Sequence, residues 1–93
     1  MDHTLYRRHL GEHFSEGSRR LWLEIRKRRW TQVKLGYALG NPSPGTINRW
    51  LYGDRRPALT STLLIQKVLK IDARLWNEPP RRSFVPPAAR KAA

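Results

Sequence analysis

The chain has no cysteine, so it can form neither a disulfide framework nor a thiolate zinc site, and its composition suits a reducing cytoplasm. Long apolar runs are missing too. Hydrophobic stretches are only a few residues long and the N-terminus lacks the basic-then-apolar order of a signal peptide, so no membrane partner is expected. Acidic residues are scarce, 7 Asp and Glu against 19 Lys and Arg, for a formal net charge of +12. No internal repeat, Gly-rich phosphate loop, nucleophile elbow or paired-acid constellation appears, so no catalytic residue is expected and the protein is read as a non-enzyme. His9 and His13 are spaced four apart with Glu12 between them, but a zinc site needs a third ligand and a surrounding fold. Neither a metal nor a cofactor is expected.

What remains is 93 residues, one small domain, with four tryptophans to build a core from a chain that buries only about 60% of its unfolded surface. The excess charge points to a polyanion, nucleic acid first. It is concentrated between residues 18 and 30, where Arg19, Arg20, Arg26, Lys27, Arg28 and Arg29 stand against Glu24 alone. The alternative for the run 26–29 is a solvated helix face that keeps the protein soluble.

Spacing predicts five helical segments and no strand. In "SRRLWLEIRKRR" Ser18 is the expected N-cap, with Leu21, Trp22 and Ile25 on one face. Thr31 caps "TQVKLGYALG", where Leu35, Ala38 and Leu39 share a face and Gly40 supplies a left-handed end. Ser43 caps a short third helix with Pro44 at its first position, an inward stripe of Ile47, Trp50 and Leu51, and Gly53 at its end. A fourth helix is expected from Thr60 or Ser61, with Leu64, Ile65, Val68 and Leu69 inward, and Asp72 caps a last turn, "ARLWN". Residues 1–17 read as an appendage, partly ordered or helical, in which Leu5, Tyr6, Leu10 and Phe14 line one face. Residues 79–93, basic and proline-rich, read as a disordered tail, leaving 18–78 as the domain.

The stretch "LGNPSPGTINRWLYGDRRP", residues 39–57, breaks one helix and at once starts another. Two short helices joined by such a turn cross steeply, and the second can project into a major groove about 12 Å wide. Ile47 and Trp50 would anchor it, leaving Gly45, Thr46, Asn48, Arg49 and Tyr52 pointing away. Trp30 and Trp50 are expected in the core, Trp76 under the last turn, and Trp22 in the core or at a dimer contact.

Together "TQVKLGYALG", "GTINRWLYG" and "RRPALTSTLLIQKVLKI" resemble the phage-repressor and Cro-like (XRE-type) helix-turn-helix domains over residues 18–77. The resemblance implies an all-α, compact four- to five-helix bundle of the lambda-repressor kind. It implies a sequence-specific regulator, a repressor, that binds double-stranded DNA as a homodimer on the cytoplasmic nucleoid. By position, Gly45, Thr46, Asn48 and Arg49 would read bases, while Gln32, Ser43, Arg55, Arg56, Lys34 and Arg28 would hold phosphates, with Asp54 orienting the arginine pair. The dimer contact would fall around Leu75 and Trp76 or in the N-terminal segment. Three departures stand out: the turn is one residue longer than usual, Gly36 replaces a usual Ala, and Pro44 stands where many relatives place an adenine-reading glutamine.

Two other readings are open. In one, the same domain is the antitoxin of a toxin–antitoxin pair, masking a protein partner with its N-terminal segment or C-terminal tail while it represses its own promoter. In the other it is a general RNA-binding protein, which the lack of aromatic pairs on strands disfavours.

Overall fold

The computed structural model describes residues 10–86, an all-α arrangement of four helices and a closing 3-10 helix, with no strand among the described residues. The expected positions Leu5, Tyr6 and His9, and the end of the tail beyond residue 86, lie outside them. Helix α1 (Glu16–Arg28) packs on α3 (Pro44–Tyr52) and on the 3-10 helix (Ala73–Asn77). Helix α2 (Gln32–Ala38) packs on α3, and α4 (Leu59–Leu69) on the 3-10 helix. Leu21, Leu35, Ile47, Leu51, Ile65, Leu69 and Trp76 meet at the centre, each almost fully buried.

Three caps fall where local chemistry puts them. Thr31 Oγ1 accepts from Lys34 N–H at 3.1 Å, Ser43 Oγ from Thr46 N–H at 3.1 Å, and Asp72 Oδ1 from Arg74 N–H at 2.8 Å. Gly40 is left-handed (φ 84°), as expected, and Asn41 follows it into the same region (φ 63°), closing the turn through Asn41 N–H to Gly36 C=O at 2.7 Å.

The start of α1 differs from expectation. Its N-cap is Ser15, and Ser18 is the other half of a reciprocal capping box, its N–H donating to Ser15 Oγ at 3.2 Å. The reason is tertiary. Starting three residues earlier puts Glu16 in the first turn, where its carboxylate receives Arg19 (2.6 and 2.8 Å) and Arg20 (2.7 Å) and the backbone N–H of Arg81 (2.8 Å). It also lays Gly17 against the Trp76 ring, so closely that a Cβ there would collide with the indole. The expected boundary at residue 17 therefore falls inside α1.

Both flanking stretches join the core as far as they are described. Phe14 is buried and stacks on Phe84 with centroids 5.7 Å apart, and Phe84 lies 6.0 Å from Trp22. Residues 79–86 are thus not a free tail: Phe84 is half-buried on the domain and Arg81 is tied to Glu16. Trp22 belongs to the core, its Nε1–H donating to Leu51 C=O at 2.7 Å. Leu75 and Trp76 are buried within the chain itself, so they do not offer the dimer surface expected of them. Helix α4 starts at Leu59, ahead of Thr60 and Ser61. Its N-cap is Ala58, directly after the buried Pro57, and the alanine methyl can make no side-chain cap hydrogen bond.

Glu16 has no exposed side-chain surface. The Arg19 hydrogen bonds, then those of the Arg81 N–H and Arg20, outweigh burial and hold its pKa at about 2 against an ordinary 4.5. A carboxyl whose folded pKa is depressed adds stability above its unfolded value and loses it as pH falls through the folded one. The contribution, about 3 kcal/mol from this shift, is complete above pH 4.5 and lost toward pH 2. Glu16→Gln should lower the stability of the neutral protein by about that amount and flatten the acid limb of a plot of unfolding free energy against pH. An unchanged acid limb in the variant, measured by urea unfolding, would show that Glu16 is not the group responsible.

Candidate nucleic-acid interface

The interface is built around α3, whose inner side is fixed by three buried residues, Ile47, Trp50 and Leu51. Pro44 occupies the first helical position, where its missing N–H costs nothing. At the other end the carbonyls are taken up by the rest of the chain. Leu51 C=O accepts from Trp22 Nε1, Tyr52 C=O from Gly11 N–H at 2.7 Å and Gly53 C=O from His13 N–H at 2.8 Å. Gly53 ends the helix left-handed (φ 80°), and Asp54 N–H returns to Arg49 C=O at 2.9 Å.

Outward from this anchored helix stand the residues expected to read bases. Gly45 and Arg49 are exposed, and Thr46 and Asn48 are half-buried. A Cβ added at Gly45 would meet only Ser43 Oγ, at 4.0 Å, so the backbone there is open to close approach. Thr46 Oγ1 and Ser43 Oγ share a hydrogen bond of 2.9 Å, which couples one expected base contact to one expected phosphate contact. Tyr52, expected to point outward, instead turns back half-buried, edge-on to Trp22 with centroids 5.5 Å apart.

Lys34, Arg55 and Arg56 are exposed, and their side chains make no ion pair or hydrogen bond among the described residues. Arg28 is different. Its Nε lies 3.1 Å from Glu24 Oε1 and its guanidinium 5.2 Å from the Trp30 ring centroid, so this phosphate candidate is already engaged. Trp30, expected in the core, is half-buried at its margin and carries that arginine. Gln32, half-buried at the start of α2, and Ser43 line an open depression of about 270 Å³ between α2 and α3. Between residues 31 and 57 the sole acidic residue is Asp54. The uncapped N-terminus of α4, next to Arg55 and Arg56, has no counterpart among the expected site residues, and its first backbone N–H groups have no side-chain cap. The signal was Ala58, a poor N-cap, directly after Pro57.

Among the described residues no three His, Asp or Glu side chains gather to hold a metal, and His9 lies outside them. No helix among them is long and apolar enough to cross a membrane. Comparisons with protein families, curated proteins and solved structures found no match to this chain.

The glycines at the two ends of α3 should respond oppositely to alanine. At Gly53 a Cβ would run into the backbone of Phe14 and the residue would be forced left-handed, so Gly53→Ala should cost at least about 2 kcal/mol. Gly45→Ala meets open space inside a helix and should leave stability unchanged or raise it by up to about 1 kcal/mol. Thermal unfolding of the two variants tests this, and equal melting temperatures would contradict the assignment of Gly53 as the fixed end.

Proposed function

We propose that this protein is a sequence-specific double-stranded DNA-binding regulator, a repressor, of the XRE-type helix-turn-helix class, with α2 and α3 as the helix pair. The observation that carries the reading is α3 itself: anchored by Ile47, Trp50 and Leu51, it holds Gly45 and Arg49 exposed on a surface whose one acid between residues 31 and 57 is Asp54. Such a helix reads base edges in the major groove with its outer residues. Arg49 serves a guanine through O6 and N7, and Thr46 and Asn48 lie beside it. Lys34, Arg55 and Arg56 neutralise phosphates, with Gln32, Ser43 and the uncapped start of α4 contributing neutral donors. The protein acts as a homodimer, because one short recognition helix reads only a few base pairs and two copies can enter successive grooves about 34 Å apart.

Arg49→Ala should cost about 1–3 kcal/mol on a selected operator and little on scrambled duplex. Arg55→Ala and Arg56→Ala should weaken both duplexes alike and each flatten the plot of log affinity against log salt by roughly one unit, since a neutralised phosphate releases about 0.9 counterion. Equal losses on both duplexes for Arg49→Ala would make it one more phosphate contact and remove α3 from its place in the groove. Sedimentation should find two copies on a symmetric site, and a monomer both free and on that DNA would defeat the dimer.

A further inference from the structure

The outer side of α4 bears a stripe that is apolar at one end and basic at the other. Leu59 is 70% exposed and Leu63, one turn on, 51%. Gln66 and Lys70 continue the stripe at helical spacing, with Lys67 beside them, all three exposed. Leu63, Gln66, Lys67, Lys70 and Asp72 line an open depression of about 460 Å³ at the C-terminal end of the helix. Its acceptors are already occupied. Gln66 Oε1 accepts the Ala73 N–H at 2.9 Å, and the two carboxylate oxygens of Asp72 are held by the Arg74 guanidinium at 3.2 and 2.9 Å, with the Arg74 N–H at 2.8 Å. Its donors are not. The Lys67 and Lys70 ammonium groups make no ion pair among the described residues, and the Gln66 NH2 group meets no acceptor among them.

A depression that offers donors beside bare leucine suits a ligand that brings carboxylates and a large apolar group together. A second copy of this chain fits poorly. Of the acids among the described residues, Glu16, Glu24, Asp72 and Glu78 each already hold an arginine of their own chain. Two copies meeting here would bring lysines together with few carboxylates to offset them. A duplex brings phosphates but no large apolar group beside them, which leaves the leucines uncovered. An anionic bilayer is broad and flat, whereas the apolar part of this face is two side chains on one helix. We propose that Leu59, Leu63, Gln66, Lys67 and Lys70 form a docking site for an acidic segment of a partner protein, which seats a large apolar side chain against the leucines and its carboxylates on the lysines. The site shares no side chain with those assigned to DNA, and the inference does not rest on that reading.

The test is a selection of random peptides displayed on phage against the whole chain, after removal of those that also bind the double variant Leu63→Ser, Lys67→Glu, altered only at exposed positions. Recovered sequences should combine Asp or Glu with a large apolar residue, and one of them, synthesised, is then titrated against the protein in solution. Leu63→Ser should weaken its binding about 5-fold, the value of covering the exposed half of a leucine. Lys67→Ala and Lys70→Ala should each weaken it about 2- to 5-fold in low salt and hardly at all in high salt. Arg26→Ala removes the same charge from an exposed position on α1 and should change nothing. Recovery of peptides without acidic residues, or of none, would overturn the inference. So would a loss at Arg26→Ala equal to that at the lysines, which would reduce the binding to the net charge of the protein. Self-association abolished by Leu63→Ser would assign the face to a second copy, and retention on phosphatidylglycerol vesicles abolished by the same variant would assign it to a lipid surface. Either result overturns the proposal.

Discussion

The last turn of α3 sets the constraint on which the arrangement depends. A nine-residue helix satisfies few of its own carbonyls, and those left over must find donors or water. Here the donors come from distant parts of the chain: Trp22 on α1 serves Leu51, and the segment before α1 serves Tyr52 and Gly53. Because these donors belong to elements packed on either side, α3 cannot rotate about its axis without breaking several bonds at once. Its outer face is therefore set by contacts made entirely on its inner face and at its far end. Phe14 can sit there only because residue 53 has no side chain, and Phe84 then covers Phe14.

The same economy governs charge. Much of the basic run in α1 is committed inside the molecule: Arg19 and Arg20 to Glu16, Lys27 and Arg28 to Glu24. The exposed pairs at Glu24 contribute little to stability, but they lower the field that α1 presents. Lys34, Arg49, Arg55 and Arg56, which make no ion pair among the described residues, carry the positive charge of the stretch from α2 to the start of α4. The net charge of +12 says that a polyanion is attractive, and the pairing decides which face attracts it.

What was legible in the sequence follows the range of the interactions. The caps at Thr31, Ser43 and Asp72, the first-position Pro44 and the left-handed Gly40 and Gly53 depend on neighbours within a few residues, and local chemistry specified each. Ser18 was a plausible cap on the same grounds. Ser15 displaced it because Glu16 and Gly17 each find a partner some 60 residues away, at Arg81 and Trp76, which no window on the sequence contains. The outward stance expected of Tyr52, the free tail expected around Phe84 and the open choice at Trp22 differ from the structure for the same reason, since these rings and Phe14 meet one another only after the chain has closed. At the candidate interface the outward stance of Gly45 and Arg49 was readable from the inward stripe of Ile47, Trp50 and Leu51. The engagement of Arg28 with Trp30 was not.

The hydroxyl pair at the start of α3 limits how the proposed interface divides its work. Ser43 Oγ already accepts the Thr46 N–H, and the two hydroxyl oxygens share one further hydrogen bond. If Thr46 donates that bond, the Ser43 proton is directed outward and can meet a phosphate oxygen. If Ser43 donates it, the outward proton is that of Thr46 and can meet a base acceptor. While the pair is intact, one of them and not both can be a donor to DNA. Phosphate oxygens are always acceptors, whereas base edges vary, so the proton goes to Ser43 wherever the adjacent base offers no acceptor. Thr46 then presents to the base its methyl group and its remaining lone pair. In that case the start of α3 would make apolar and acceptor-type contacts, and hydrogen-bond donation to bases would fall to residues further along the helix, Arg49 among them.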